Sequence, residues 1–196
     1  MGSRLFLSAQ QQNWASHQGR VSWGQVDGVI LLKLANHVDC MDWRNFIPNK
    51  TQVRALLDQK SQAVFDGLVE LTADKPELRQ WLLEVMPDEL EWITDLSIKA
   101  AELLTQRKGP LHLQGLCSIS DTAALALSKH EGLIYLHGTQ QISQRAAGSL
   151  AANKGFLSLK LDGFLSDIAA EALAQHTGGL SLLGITDLSD AAANYL

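Results

Sequence analysis

With only two cysteines in 196 residues, Cys40 and Cys117, the chain has no material for a disulfide framework. Small secreted domains held by bridges are thereby excluded, and a reduced, cytosolic setting is expected. Cations are outnumbered, 16 Lys and Arg against 21 Asp and Glu, for a net charge of −5. Without a basic surface, nucleic acid and anionic membranes are poor partners. No uninterrupted apolar run approaches the ~18 residues of a membrane span. The longest candidate, VILLKLA, is broken by Lys33. The opening MGSRLFLSAQQQ carries an apolar patch shorter than the core of a secretory signal, and Phe6 stands where N-myristoylation wants Ser or Thr. There is no phosphate-binding P-loop, no dinucleotide fingerprint after a strand and no G-x-S-x-G elbow. What is present is apolar content of 46 %, enough for a soluble chain of this length to bury a core.

The second half of the chain repeats itself. ISDTAALALSKHEG (119–132) returns as ISQRAAGSLAANKG (142–155) and LSDIAAEALAQHTG (165–178), and LSDAAANYL closes the sequence. With a period of 23 and no gap, alanine pairs fall at 100/101, 123/124, 146/147, 169/170 and 192/193. Five further columns keep the same phase. They are Leu113/Leu136/Leu159/Leu182, Leu111/Ile134/Leu157/Leu180, Ser97/Ser120/Ser143/Ser166/Ser189, Leu104/Leu127/Leu150/Leu173/Leu196 and Gly109/Gly132/Gly155/Gly178.

Each unit translates into strand, turn, helix, turn. Leu111 and Leu113 have the period of a strand, and Gly115 ends it. Ser120 is placed as a helix N-cap with Asp121 in the first turn, and Ile119 and Ala124 form a hydrophobic staple. Positions 120, 123, 124 and 127 share a helical face whose small alanines allow close packing on the strands. Gly132 is expected to close the helix as a C-terminal cap. A lone unit cannot bury its apolar face, but stacked copies build a continuous core with parallel strands on one side and helices on the other. Strands are expected near 89–92, 111–114, 134–137, 157–160 and 180–183, and helix starts near 75, 98, 121, 144 and 167.

These units resemble leucine-rich repeats, and more closely the degenerate bacterial arrays that read L-x-L-x-G-L-x-x-L-S-D-x-A-A-x-x-L-A. The resemblance covers about residues 88–196. It implies an α/β solenoid with one helix per 23-residue repeat, serving protein interaction. Where that family carries Asn after the strand, this chain has Leu116, Thr139, Asp162 and Ile185, and Leu161 replaces the strand-ending Gly, with Gly163 two residues later. The phase fades upstream: Asp74 stands in the Ser column with Pro76 and Glu77 behind it, Trp81 in a Leu column and Trp92 in a Gly column, bulky substitutions suited to a capping repeat.

Residues 1–73 carry no repeat. A polar arm to about residue 20 precedes a candidate strand, Gln25 to Asn36, then a loop, DWRNFIPNK. Val53, Leu56, Leu57, Val64, Leu68 and Leu71 follow helical spacing and predict one amphipathic helix from 50 to 71. The expected organisation is an arm and mainly helical α+β cap over 1–73, then a repeat solenoid over 74–196.

Candidate chemistry is sparse. His37, Asp39 and Cys40 could supply a nucleophile, a base and an orienting group, but in an extended segment His37 and Asp39 share a face that Cys40 does not. A small hydrolase or transferase using them is one alternative to a binding role, and a structural protein that self-associates through the solenoid ends is another. His112, His137 and Cys117 are conceivable zinc ligands with no fourth partner repeating beside them, so neither metal nor cofactor is expected. His130, Asn153 and His176 share a column at the helix C-termini, where a polar group caps carbonyls. Strand parity leaves one face free: His112 and Gln114, Tyr135 and His137, Ser158 and Lys160, Ser181 and Leu183. This ribbon is the expected surface for a protein partner. The last strand offers an open edge, which sequence beyond Leu196 or a two-fold homodimer would cover.

Overall fold

The computed structural model describes residues 48–73 and 75–196; the arm, the Gln25–Asn36 strand, the His37/Asp39/Cys40 cluster and Asp74 lie outside them. Among the described residues, helices α1 (Lys50–Leu57), α2 (Gln62–Leu71) and α3 (Pro76–Val85) come first. Then helices alternate with strands: α4 (Ile98–Thr105), β1 (Leu111–His112), α5 (Asp121–Leu127), β2 (Ile134–Leu136), α6 (Gln144–Ala151), β3 (Leu157–Phe164), α7 (Asp167–Leu173), β4 (Leu180–Asp187) and α8 (Asp190–Tyr195).

The four strands form one parallel sheet in sequential order. Leu111 pairs with Ile134, Ile134 with Leu157 and Leu157 with Leu180, each partner 23 positions along. The expected first strand at 89–92 is reduced to a single parallel bridge, Glu89 to His112, after which the chain turns at 91–92, as it does at the equivalent 114–115. Every serine of the Ser column caps its helix: Ser97, Ser120, Ser143, Ser166 and Ser189 accept from the amide three residues on, at 3.0–3.3 Å. Successive helices pack in chain order along the other side of the sheet.

One contiguous core runs from Val53 to Ala192. Leu111, Leu113, Ile134, Leu136, Leu157 and Leu159 are fully buried from the strand side, and the alanine pairs at 123/124, 146/147 and 169/170 meet them from the helices. At the upstream end, Phe65 of α2 meets Trp92 edge-on with ring centroids 5.8 Å apart.

Three local expectations are corrected. The segment 50–71 is two helices: the polar run Asp58–Ser61 breaks it, with Lys60 at φ +51°, so that Phe65 and Val69 are buried along with Val64 and Leu68. The column of Gly132 does not cap helices. α5 ends at Leu127 with Ser128 as its cap, and Gly132, Gly155 and Gly178 have no positive φ. A Cβ there would strike the carbonyl oxygen of Gly109, Gly132 or Gly155, so glycine is required for coils to approach. Where Leu161 replaces the strand-ending glycine, β3 runs on to Phe164 through a bulge, and Gly163 and Gly184 take the left-handed conformations that turn the longer strands.

Candidate functional site

The sheet's outer face is built by strand parity. With Leu111, Leu113 and their equivalents inward, His112, Tyr135, Ser158 and Ser181 line up in register on the other side. The His112 ring stacks on Tyr135, centroids 4.6 Å apart and planes 3° from parallel. His137 meets the same tyrosine edge-on at 5.7 Å, and Phe156 lies 6.1 Å away at a tilt. Four rings from three adjacent coils thus form one cluster centred on Tyr135.

Ser158 differs from the expected open position. It is 3 % exposed, and its Oγ lies 2.8 Å from His137 Nε2. It braces the imidazole and offers a partner almost no surface. Gln114, Lys160 and Leu183 are exposed around the cluster, Ser181 half-buried. Burial lowers the His137 pKa below the ordinary imidazole value, and the charges of Lys160 and His112 add to this.

A hydroxyl beside an imidazole is also the contact of an activated nucleophile. Here the hydroxyl is shielded, and among the described residues no carboxylate hydrogen-bonds to His137. Among the described residues no three His, Cys, Asp or Glu side chains are grouped to hold a metal. Tyr135 stands between His112 and His137, and Cys117 is free and exposed, its thiol donating to the Gly115 carbonyl at 3.4 Å.

Phe156 escaped the parity argument because it lies before the strand proper. Its column, Pro110/Leu133/Phe156/Gly179, sits two residues ahead of the His112 column and so has the same outward parity, which is the signal that locates it. Leu133 is exposed there, and the Phe156 ring lies over Gly179, where a Cβ would collide with it. The column of His130, Asn153 and His176 reaches further than a helix cap. His130 Nε2 donates to the Gly109 carbonyl at 2.9 Å, Asn153 Nδ2 to that of His130, and His176 Nδ1 to that of Ala151 at 3.1 Å. These are bonds between consecutive coils. Thr139 adds another, its Oγ1 donating to the Leu116 carbonyl at 3.3 Å.

Compared with protein-family models, with curated proteins and with solved structures, the chain finds no match. Among the described residues no helix is long and apolar enough to cross a membrane. The description that stands is an α/β repeat architecture, with parallel strands and alternating helices, that presents an aromatic cluster on its strand face.

Proposed function

We propose that the chain is a non-enzymatic interaction module, a leucine-rich-repeat-like solenoid of 23-residue units, that takes a protein partner on the strand face. In this reading residues 1–73 are arm and cap, and 74–196 are the binding array, working in the cytosol. The carrying observation is the ring cluster of His112, Tyr135, His137 and Phe156 on the side of the sheet that the core does not use. Tyrosine, histidine and phenylalanine combine apolar area with polar atoms, the composition of binding hot spots. Stacking and the Ser158 brace hold the rings before any partner arrives, which lowers the ordering cost of association. The acidic balance of the chain favours a protein over a nucleic acid.

The test is affinity capture from native lysate with the intact chain as bait. Tyr135→Ala and His137→Ala are expected to lose a partner that Leu125→Ala, on the exposed helix side, retains. Melting temperatures of all three baits check that each is folded. An identical set of captured proteins for folded wild-type, Tyr135→Ala and His137→Ala baits would refute the strand-face reading.

A further inference from the structure

We infer that the strand face takes an extended polypeptide segment with a cationic side chain at one end, a carboxylate at the other and an apolar side chain between. The inference rests on the strand-face reading and adds the chemistry of the occupant. The charges of the face itself dictate that pattern. The register of the sheet continues upstream through the bridge between Glu89 and His112, so Glu89 stands in the row of His112, Tyr135 and Ser158. Its carboxylate is exposed, and the next residue, Leu90, is fully buried, as alternation requires. Glu91 adds a second exposed carboxylate at this end, 3.8 Å from Lys60.

The opposite end carries the opposite sign. Lys160 is exposed on β3, one residue past the pair of Leu136 with Leu159 and so beside His137. Asp162, two residues further along β3, lies beyond these rows. Neither Glu89 nor Lys160 is in an ion pair among the described residues. Between them stand the rings of His112, Tyr135 and His137 and the amide of Gln114. A partner with the reverse order of charge is attracted at both ends, and one with two charges of the same sign is repelled at one of them.

Spacing and hydrogen bonding favour an extended backbone. Three strand spacings of about 4.8 Å put the two charges roughly 14 Å apart. An extended segment rises about 3.4 Å per residue and turns alternate side chains to one side, so its first, third and fifth residues span that distance facing the sheet. The first carries the cation, the fifth the carboxylate, and the third packs on Tyr135 and Phe156 beside the exposed Leu133. The polar tips of His112, Gln114 and Tyr135 supply hydrogen bonds that an extended backbone leaves open and a helix satisfies within itself.

The probe is a displayed library of random heptapeptides, too short to be helical, selected on the immobilised full chain with the Tyr135→Ala chain as counter-bait. Sequences that need Tyr135 are expected to pair Lys or Arg with Asp or Glu four positions apart, with an apolar or aromatic residue midway. Synthetic copies of the selected sequences are then titrated against charge variants whose melting temperatures show them folded. Lys160→Glu is expected to weaken these peptides by about tenfold and, on reselection, to exchange their acidic position for Lys or Arg. Glu89→Lys should exchange the basic position for Asp or Glu, and Leu125→Ala should bind as the wild type does. Tyr135-dependent peptides without the paired charges would overturn this inference and leave the strand-face reading standing, as would an unchanged preference on Lys160→Glu. Peptides that bind wild type and Tyr135→Ala alike, or a selection that returns no binder, would sink both.

Discussion

Asn153 is fully buried, and its side-chain amide serves two coils at once. It donates to the His130 carbonyl of the coil before and accepts from Gly155 N–H at 2.7 Å in its own turn. Asn153→Ala strands both backbone groups away from water and is expected to cost about 1–3 kcal/mol, read from urea denaturation; a change within error would mean that water replaces the side chain. Face assignment gives a sharper contrast. Leu136→Asp places an unpaired carboxylate among fully buried leucines and is expected to cost ~3–5 kcal/mol, whereas Lys160→Ala, on the exposed side, should be nearly silent. Equal midpoints for the two would contradict the packing. His137 links the face to pH. Folding lowers its pKa from the ordinary 6.5, first through burial and then through Lys160 and His112, so below that value the unfolded chain binds a proton that the folded chain resists. Its contribution is fully present above pH 6.5 and is lost as pH falls through the depressed folded value. Between pH 7 and 5 the wild-type melting temperature is expected to fall further than that of His137→Gln; parallel curves would show that the ring is as easily protonated in the folded chain.

Two glycines of one unit separate the demands of an element from those of its stacking. Gly148 lies exposed within α6, with Ala172 Cβ 3.9 Å from where its own Cβ would sit. Gly148→Ala is expected to raise stability by about 0.5–1 kcal/mol through helix propensity alone. Gly155, seven residues on, is backed by the Gly132 carbonyl of the neighbouring coil, and Gly155→Ala must push the coils apart at a cost of about 1–3 kcal/mol by thermal or urea unfolding. If both substitutions moved stability the same way, the close approach would not be the reason for that column. Such contacts mark what the sequence could show. Helix starts were legible because a serine cap followed by an alanine pair acts within four residues, and parallel order was legible because identical units can bury their faces only by stacking in phase. The role of Gly155 was not, since a glycine after a helix reads equally as a cap or as a point of approach until the neighbouring chain is placed. The break at Asp58–Ser61 was hidden for a related reason: Leu57 and Val64 are seven apart, in phase for one helix or for two. On the candidate face, parity found His112, Tyr135 and His137, while the burial of Ser158 depends on where the His137 ring settles, which alternation does not encode.

Among the described residues the alternating helices and strands are close to one-dimensional: each coil touches its neighbours, and its stability is its own plus that of its interfaces. The upstream coils lie against α1–α3 through contacts such as Phe65 on Trp92. The coil of β4 and α8 has one neighbour among the described residues, opposed by a local strengthening: β3 and β4 are eight residues each, the longest strands in the sheet. These two effects predict an order of opening. α8, six residues long with only Ala192 buried, should exchange its amides first, then β4, and the amides of β2 only with global unfolding. The same gradient appears in one column of side chains. Leu165→Ala, at 1 % exposure between two coils, is expected to cost about 2–5 kcal/mol, since the cavity it leaves cannot collapse. Leu188→Ala, the equivalent position at 38 % exposure on the open edge, should cost well under half as much. Urea midpoints of the two variants, with amide exchange of the wild type, decide the matter. Equal losses at Leu165 and Leu188 together with uniform exchange from β2 to α8 would mean that the long β3–β4 ladder outweighs the missing neighbour and that the array opens as a single block. A loss confined to Leu165 would mean that the last coil is held chiefly by its strand pairing, leaving its apolar edge free for whatever packs against it.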